Sequence, residues 1–205
     1  MSMKMPLFVK PEDVMTRLQL DPELAGITDV ITSGIIGAQL HVQRICSGLL
    51  PRQVQDARYF IDSMSFSSIA PNGTYRVEIP SGFVRMDVPV MITASASGAG
   101  PFEDLTEVDM GLVRLEAPRG YLHLDGNTFG DCHVRVQCET GFDADEEIPN
   151  DVYEAIMSLI PMIFESAPTT GGTTQKAMMR HQPTDPAFML LQPYIRTKGF
   201  SFRPA

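Results

Sequence analysis

Carboxylates crowd one stretch of the sequence. Residues 134–154 read VRVQCETGFDADEEIPNDVYE, an alternating run up to Gly141 and then Asp143, Asp145, Glu146, Glu147, Asp151 and Glu154. Oxygen ligands at such spacing are what a calcium loop uses. With Asp143 as position 1, Asp145, Glu147 and Glu154 fall at positions 3, 5 and 12. Position 6 of that loop must be Gly for the sharp turn, and here it is Ile148, followed by Pro149. Two helices should flank such a loop, whereas the upstream segment reads as a strand. The cluster therefore reads as a solvated bend between a strand and a helix. Asp151 and Glu154 suit the start of that helix, as a D-x-x-E cap and as negative charges at the positive end of its dipole. No spacing singles out a catalytic carboxylate pair.

The other reactive side chains are dispersed. His41, His123, His133 and His181 share no ligand spacing. Cys132 and His133 are strand neighbours, so they point to opposite faces. Cys132 and Cys138 sit six residues apart on one strand pattern, roughly 20 Å, too far to bridge. With Cys46 they read as small buried hydrophobes in a reducing compartment. Gly98-Ala-Gly100 runs straight into Pro101, and Gly171-Gly172-Thr173-Thr174 lacks the Lys of a phosphate loop. No G-x-S-x-G elbow occurs. The sequence predicts no catalytic, cofactor-binding or metal-binding residue.

These residues sit on a recognisable order of elements. VMTRLQL suggests a helical turn or two. Asp21 then caps a helix with Pro22 in its first position. Leu24, Ile27, Ile31, Ile35, Ala38, Val42 and Ile45 form one apolar stripe along about 26 residues, roughly 39 Å. Gly34 and Gly37 either weaken that helix or let another backbone come close. From about 58 to 140 the pattern changes to strands. Thr74–Ile79, Val88–Ala96 and Cys132–Thr140 alternate, and Gly111–Glu116 and Tyr121–Leu124 flank the turn Ala117-Pro118-Arg119-Gly120. One polar face per strand implies an antiparallel sheet with a wet side. Residues 149–165 are helical again, with Pro161 expected to kink them. The predicted class is α+β: a long N-terminal helix within about 11–48, packed with a second helix at 149–165, an antiparallel β segment between them, and an extended C-terminal arm.

Bulk properties narrow the role. A chain of 205 residues accommodates one domain with appendages. A net charge of −9 argues against a protein that grips nucleic acid by its whole surface. The MSMKMPLF start has no apolar core of a signal peptide, and no run approaches the ~20 apolar residues of a membrane span. Charge is uneven, since residues 176–205 hold Lys176, Arg180, Arg196, Lys198 and Arg203 against Asp185 alone. The expected division is a domain at 1–167, a flexible link at 168–175 and a docking arm at 176–205. The arm carries Phe188, Leu190, Leu191, Tyr194, Ile195, Phe200 and Phe202, too much apolar surface for a free tail. It either folds onto its own core or reaches another subunit, where aromatics and Arg anchor contacts.

The order of several motifs resembles the head–tail connector (adaptor, or head-completion) proteins of tailed bacteriophages. DPELAGITDVITSGIIGAQLHVQRICSG looks like the family's long helix, and VPVMITASASGAGPFEDLTEVDMGLVRLEAPRGYLHLD resembles its β segment. CHVRVQCETGFDADEEIPNDVYEAIMSLIPMIFES matches best. It has an alternating strand ending in Thr140-Gly141-Phe142, a loop with Ile148-Pro149, and the helix start Asp151–Ile156. FMLLQPYIR resembles the closing Leu-x-x-Tyr-Arg segment. The likeness spans about residues 10–200; Pro161 and a longer β section depart from it. It implies a non-enzymatic virion protein at the head–tail junction, synthesised in the host cytoplasm. Such proteins form a ring, typically of twelve copies, under the portal, and extend the DNA channel without reading sequence. A tail-side neck or terminator protein would be a further partner. Phe188, Leu190, Leu191, Tyr194, Ile195, Arg196, Phe200, Phe202 and Arg203 would then contact the portal or a neighbouring copy. No cofactor is implied. Two other readings stand beside it. One is another neck or tail-completion protein of the tail-terminator type, in which a sheet dominates and no long helix leads. The other is an acidic metal-dependent hydrolase using the carboxylates of the bend.

Overall fold

The computed structural model describes residues 6–46, 49–62, 73–96, 104–126, 128–143, 148–165 and 185–196. The chain divides into two compact units, one from Met1–Cys46 with Phe142–Pro193, the other from Ser47–Gly141 with Tyr194–Ala205.

The first unit is helical. Helix α1 is Pro11–Arg17, with Pro11 at its first position and Glu12 and Asp13 in the first turn. Helix α2 is Ile27–Ile45, α3 is Asn150–Glu165, and α4 is Pro186–Leu191. Ile31, Ile35, Ala38 and Val42 are buried along α2, and Val152, Ile156, Leu159 and Ile160 along α3. Gly34 lies under the Phe164 ring, where a Cβ would stand 2.5 Å from the ring tip, and Gly37 lies against the Ile163 methyls. What comes close to these glycines is the side chains of α3 rather than another backbone. Buried Gln39 ties down the chain before α1: its Oε1 accepts from Phe8 N–H at 2.9 Å, and its Nε2 donates to Pro6 O at 2.8 Å.

The second unit is a pair of antiparallel sheets. Its strands are β1 Gln53–Ile61, β2 Thr74–Glu78, β3 Met91–Ala94, β4 Thr106–Glu107, β5 Val113–Glu116, β6 Tyr121–Asp125 and β7 Cys132–Thr140. One sheet has the order β1-β7-β3-β4, the other β2-β6-β5. Tyr59, Ile92, Val134 and Val136 of the first share a buried core with Val77, Leu122 and Leu124 of the second. Residues alternate between core and surface on every second position of β7, as its sequence pattern requires. β5 and β6 pair across the 3-10 turn Ala117–Arg119, which ends at left-handed Gly120.

The expected fold needs correction in three places. No long N-terminal helix forms to pack with a second. Asp21 does not cap one; its Oδ1 accepts from Glu23 N–H at 2.9 Å in a tight turn. Gly26 then takes φ 78, so α2 starts at Ile27 and has 19 residues, with α1 separate from it. Leu24, counted in the apolar stripe, is 60% exposed. Second, the β segment makes two sheets, because β1, drawn from before residue 58, pairs with β7 and leaves β2, β5 and β6 to one another. Third, the arm is not merely extended: Asp185 accepts from Ala187 N–H at 3.0 Å, Pro186 follows, and α4 results.

Candidate functional site

The acidic bend resolves into separate structural duties. β7 ends at Thr140, Gly141 turns at φ 79, and Gly141 N–H donates to Phe83 O at 2.9 Å. Ile148 is buried where a calcium loop would need its glycine. Glu154 does not reach back to cap α3. It pairs with Arg17 of α1 at 2.7 Å, beside a 3.2 Å hydrogen bond from Tyr153 to Asp13. Asp143 is half-buried, and Asp145, Glu146 and Glu147 lie outside the described residues. Among the described residues, no group of three or more His, Cys, Asp or Glu is arranged to hold a metal ion. Replacing Asp143, Asp145, Glu146 and Glu147 by Asn or Gln should leave the chain folded, as circular dichroism would show. Added calcium should leave the melting temperature of the native chain unchanged; a clear rise would restore the metal reading.

Histidines and cysteines also have local partners. His123 Nε2 lies 3.4 Å from Glu116, which Arg119 holds at 2.6 Å. Burial raises the Glu116 carboxyl, but the bonds from Arg119 and His123 outweigh it and the net direction is down. His133 stacks on Phe60 with ring centroids 4.8 Å apart, while Cys132 faces the core. Burial, reinforced by Asp151, pushes the Cys46 thiol up to about 12; Cys132 and Cys138 rise to about 11 for the same first reason. Such thiols are inert at neutral pH. On the wet face of the first sheet, Arg135 grips Asp56 with two bonds of 2.8 and 2.7 Å, and those bonds hold the Asp56 carboxyl below its ordinary range.

The arm's predicted contact residues separate into three groups. Leu191 and Tyr194 are buried within their own chain, and Tyr194 lies 6.2 Å from the Phe83 ring. Phe188, Leu190 and Ile195 are half-buried, and Met189, which the sequence reading passed over, is 62% exposed. Phe200, Phe202 and Arg203 lie outside the described residues, as does the link at 168–175.

Arg196 has several polar partners in the second unit. Its Nε donates to Arg119 O at 3.0 Å, and its Nη2 donates to Ile79 O. Its Nη1 lies 3.7 Å from Glu78, and its guanidinium stands 5.8 Å from the Tyr121 ring centroid. Arg76 also stacks on Tyr121, at 4.5 Å. Sequence reasoning marked Arg196 but missed Glu78 and Tyr121. Their only signal was their place at strand ends, Glu78 as the last residue of β2 and Tyr121 as the first of β6, just after the turn that ends in Gly120.

Apolar surface remains on both units. Met86, Val88, Pro89, Val90, Met110 and Leu115 line a groove of about 320 Å³ on the second, with Asp87 at its rim. On the first, Val30 and Leu40 of α2 are exposed alongside Met189. No described helix is long and apolar enough to cross a membrane.

No family model matches this sequence, and no curated protein matches it. Solved structures with some likeness include three from gene transfer agent particles. A chain from the neck of an empty particle at six-fold symmetry aligns over 96% of this chain and 93% of its own, with 15% identity and a TM-score of 0.48. A chain from the virion of the native particle covers 94% and 91%, with 15% identity and a TM-score of 0.45. A chain from the native neck at twelve-fold symmetry covers 100% of both, with 14% identity and a TM-score of 0.41. A likeness of this degree does not establish a shared role.

Proposed function

We propose that this chain is a structural protein of the neck of a tailed-phage-like particle, where it joins head to tail as part of a ring. The observation that carries the reading is the run Cys132–Glu165. It has the connector family's order of motifs, and in the fold these become strand β7, the Gly141 bend and helix α3. Ring closure requires heterologous contacts, in which one patch meets a different patch on the next copy. The apolar groove of the second unit and the exposed residues of α2 and α4 offer two such patches. The negative net charge suits a channel through which DNA slides, since firm binding needs many neutralised phosphates. On this reading the role is non-enzymatic, and the partners are further copies, the portal and a tail-side protein. Twelve copies is the number the connector resemblance supplies. Phe188, Leu190 and Ile195, with Phe200, Phe202 and Arg203 beyond them, are arm residues offered for those contacts.

One observation favours the second reading, a tail-completion protein of the terminator type. The leading helix is only 19 residues long, and two sheets form where one was expected. Electron microscopy separates the two. The chain is mixed in turn with portal assemblies and with tail tubes. A ring seated on the portal supports the connector; a ring on the tube end supports the terminator. Failure to bind either, with no ring formed, overturns the neck reading.

A further inference from the structure

We propose that Glu78, Tyr121 and the carbonyl oxygens of Ile79 and Arg119 form an arginine-binding slot, and that in the assembly the slot of one copy takes the Tyr194–Arg196 segment of a second copy. The slot has what a guanidinium requires. Five N–H donors in a plane need several acceptors at once, and a delocalised cation favours an aromatic face. Two carbonyls, one carboxylate and the Tyr121 ring supply these. The site is largely shielded from water, with Arg196 and Glu78 side chains 15% and 16% exposed. A lysine would bring a single point of charge and no plane to stack.

None of the slot comes from the segment that fills it. Ile79 follows β2, Arg119 ends the 3-10 turn, Tyr121 begins β6, and Glu78 ends β2 and pairs with Tyr121. Gly120 keeps the slot open: it has φ 63, and a Cβ there would stand 3.1 Å from Arg196 Nη2 and inside contact distance of Gly82 O. The slot is therefore indifferent to which copy donates the arginine. The division of the chain favours exchange. α4 belongs to the first unit, whereas Tyr194 onwards belongs to the second, together with the slot. A segment that binds a body other than the one holding its preceding helix has the connectivity of an exchangeable arm. The exchange rests on the ring reading for its second copy; the slot does not.

The test uses the full chain carrying Arg196→Ala, which vacates the slot, and a fluorescent synthetic peptide of residues 192–199, QPYIRTKG. Anisotropy should show that the variant binds the peptide at least about tenfold more tightly than the native chain, whose own Arg196 competes. Alanine in place of arginine in the peptide should weaken binding by at least about tenfold, as should Glu78→Gln added to the variant. Equal binding by variant and native chain, or by both peptides, overturns the slot. If Arg196→Ala does not fold, Arg196→Lys takes its place with the same order of affinities expected. Exchange is tested by sedimentation of the native assembly with excess peptide, which should shift it to smaller species while the alanine peptide does not. An assembly that ignores the peptide, or a native chain that stays monomeric, overturns the exchange. Rings on portal or tube with no peptide effect would leave the neck reading standing and sink only this proposal.

Discussion

Gly141→Ala should lower the unfolding free energy by roughly 3 kcal/mol, a large share of the ~5–15 kcal/mol that holds a domain together. Two causes add. A left-handed backbone costs a residue with a Cβ about 1–2 kcal/mol, and Gly141 has φ 79. The new methyl group would also stand 2.8 Å from the carbonyl carbon of Pro51 and 3.0 Å from Arg52 N, closer still to the Pro51 oxygen. Neither neighbour is the end of a flexible side chain, so the backbone itself must shift, at the typical overpacking cost of about 1–3 kcal/mol. Gly26 provides the control. It has φ 78 and nothing within 4 Å of an added Cβ, so Gly26→Ala meets the conformational cost alone. Urea unfolding should therefore place Gly26→Ala about 1 kcal/mol below the native chain and Gly141→Ala well below that. Equal losses would mean that Pro51 yields freely and that the joint is not tightly packed.

The same joint explains how much of the molecule could be read in advance. Alternation in Cys132–Thr140 predicts a half-buried strand because side-chain direction is local, and β7 has that burial. The turn at Ala117–Gly120 was legible for the same reason: its residue types act on their own backbone. Sheet membership was not. Whether β1 pairs with β2 or with β7 depends on contacts some eighty residues apart, such as Tyr59 with Val134. The start of α2 was misplaced because Asp21 had two local uses, a helix cap and a turn acceptor, and Gly26 decided between them. The Arg196 slot was beyond reach, since two of its acceptors are backbone carbonyls, which every residue carries and no motif marks. Glu154 shows the converse: its spacing suited a cap, but its carboxylate pairs instead with Arg17, 137 positions away.

Ile156→Ala and Met189→Ala should separate folding from assembly. Ile156 is fully buried on α3, and removing three carbons from such a site costs about 2–5 kcal/mol through lost transfer energy and the cavity left behind. The loss belongs to the single chain, so it should not change with protein concentration. Met189 is 62% exposed on α4, and trimming it should alter stability by no more than about 0.5 kcal/mol. Its cost should appear between copies, as a rise in the concentration needed for assembly. Met189 buries little within its own chain, whereas a flexible thioether suits a contact that forms on association. Urea unfolding and sedimentation velocity on both variants read the two effects. A stability loss below about 1 kcal/mol for Ile156→Ala would mean that α3 is not packed as described. A Met189→Ala chain that assembles at native concentrations would remove α4 from the ring contacts and leave the groove at Met86 and Met110 to be matched by α2. The two outcomes are independent, because one substitution acts on buried area already present in the monomer and the other on area that becomes buried only when a second copy arrives.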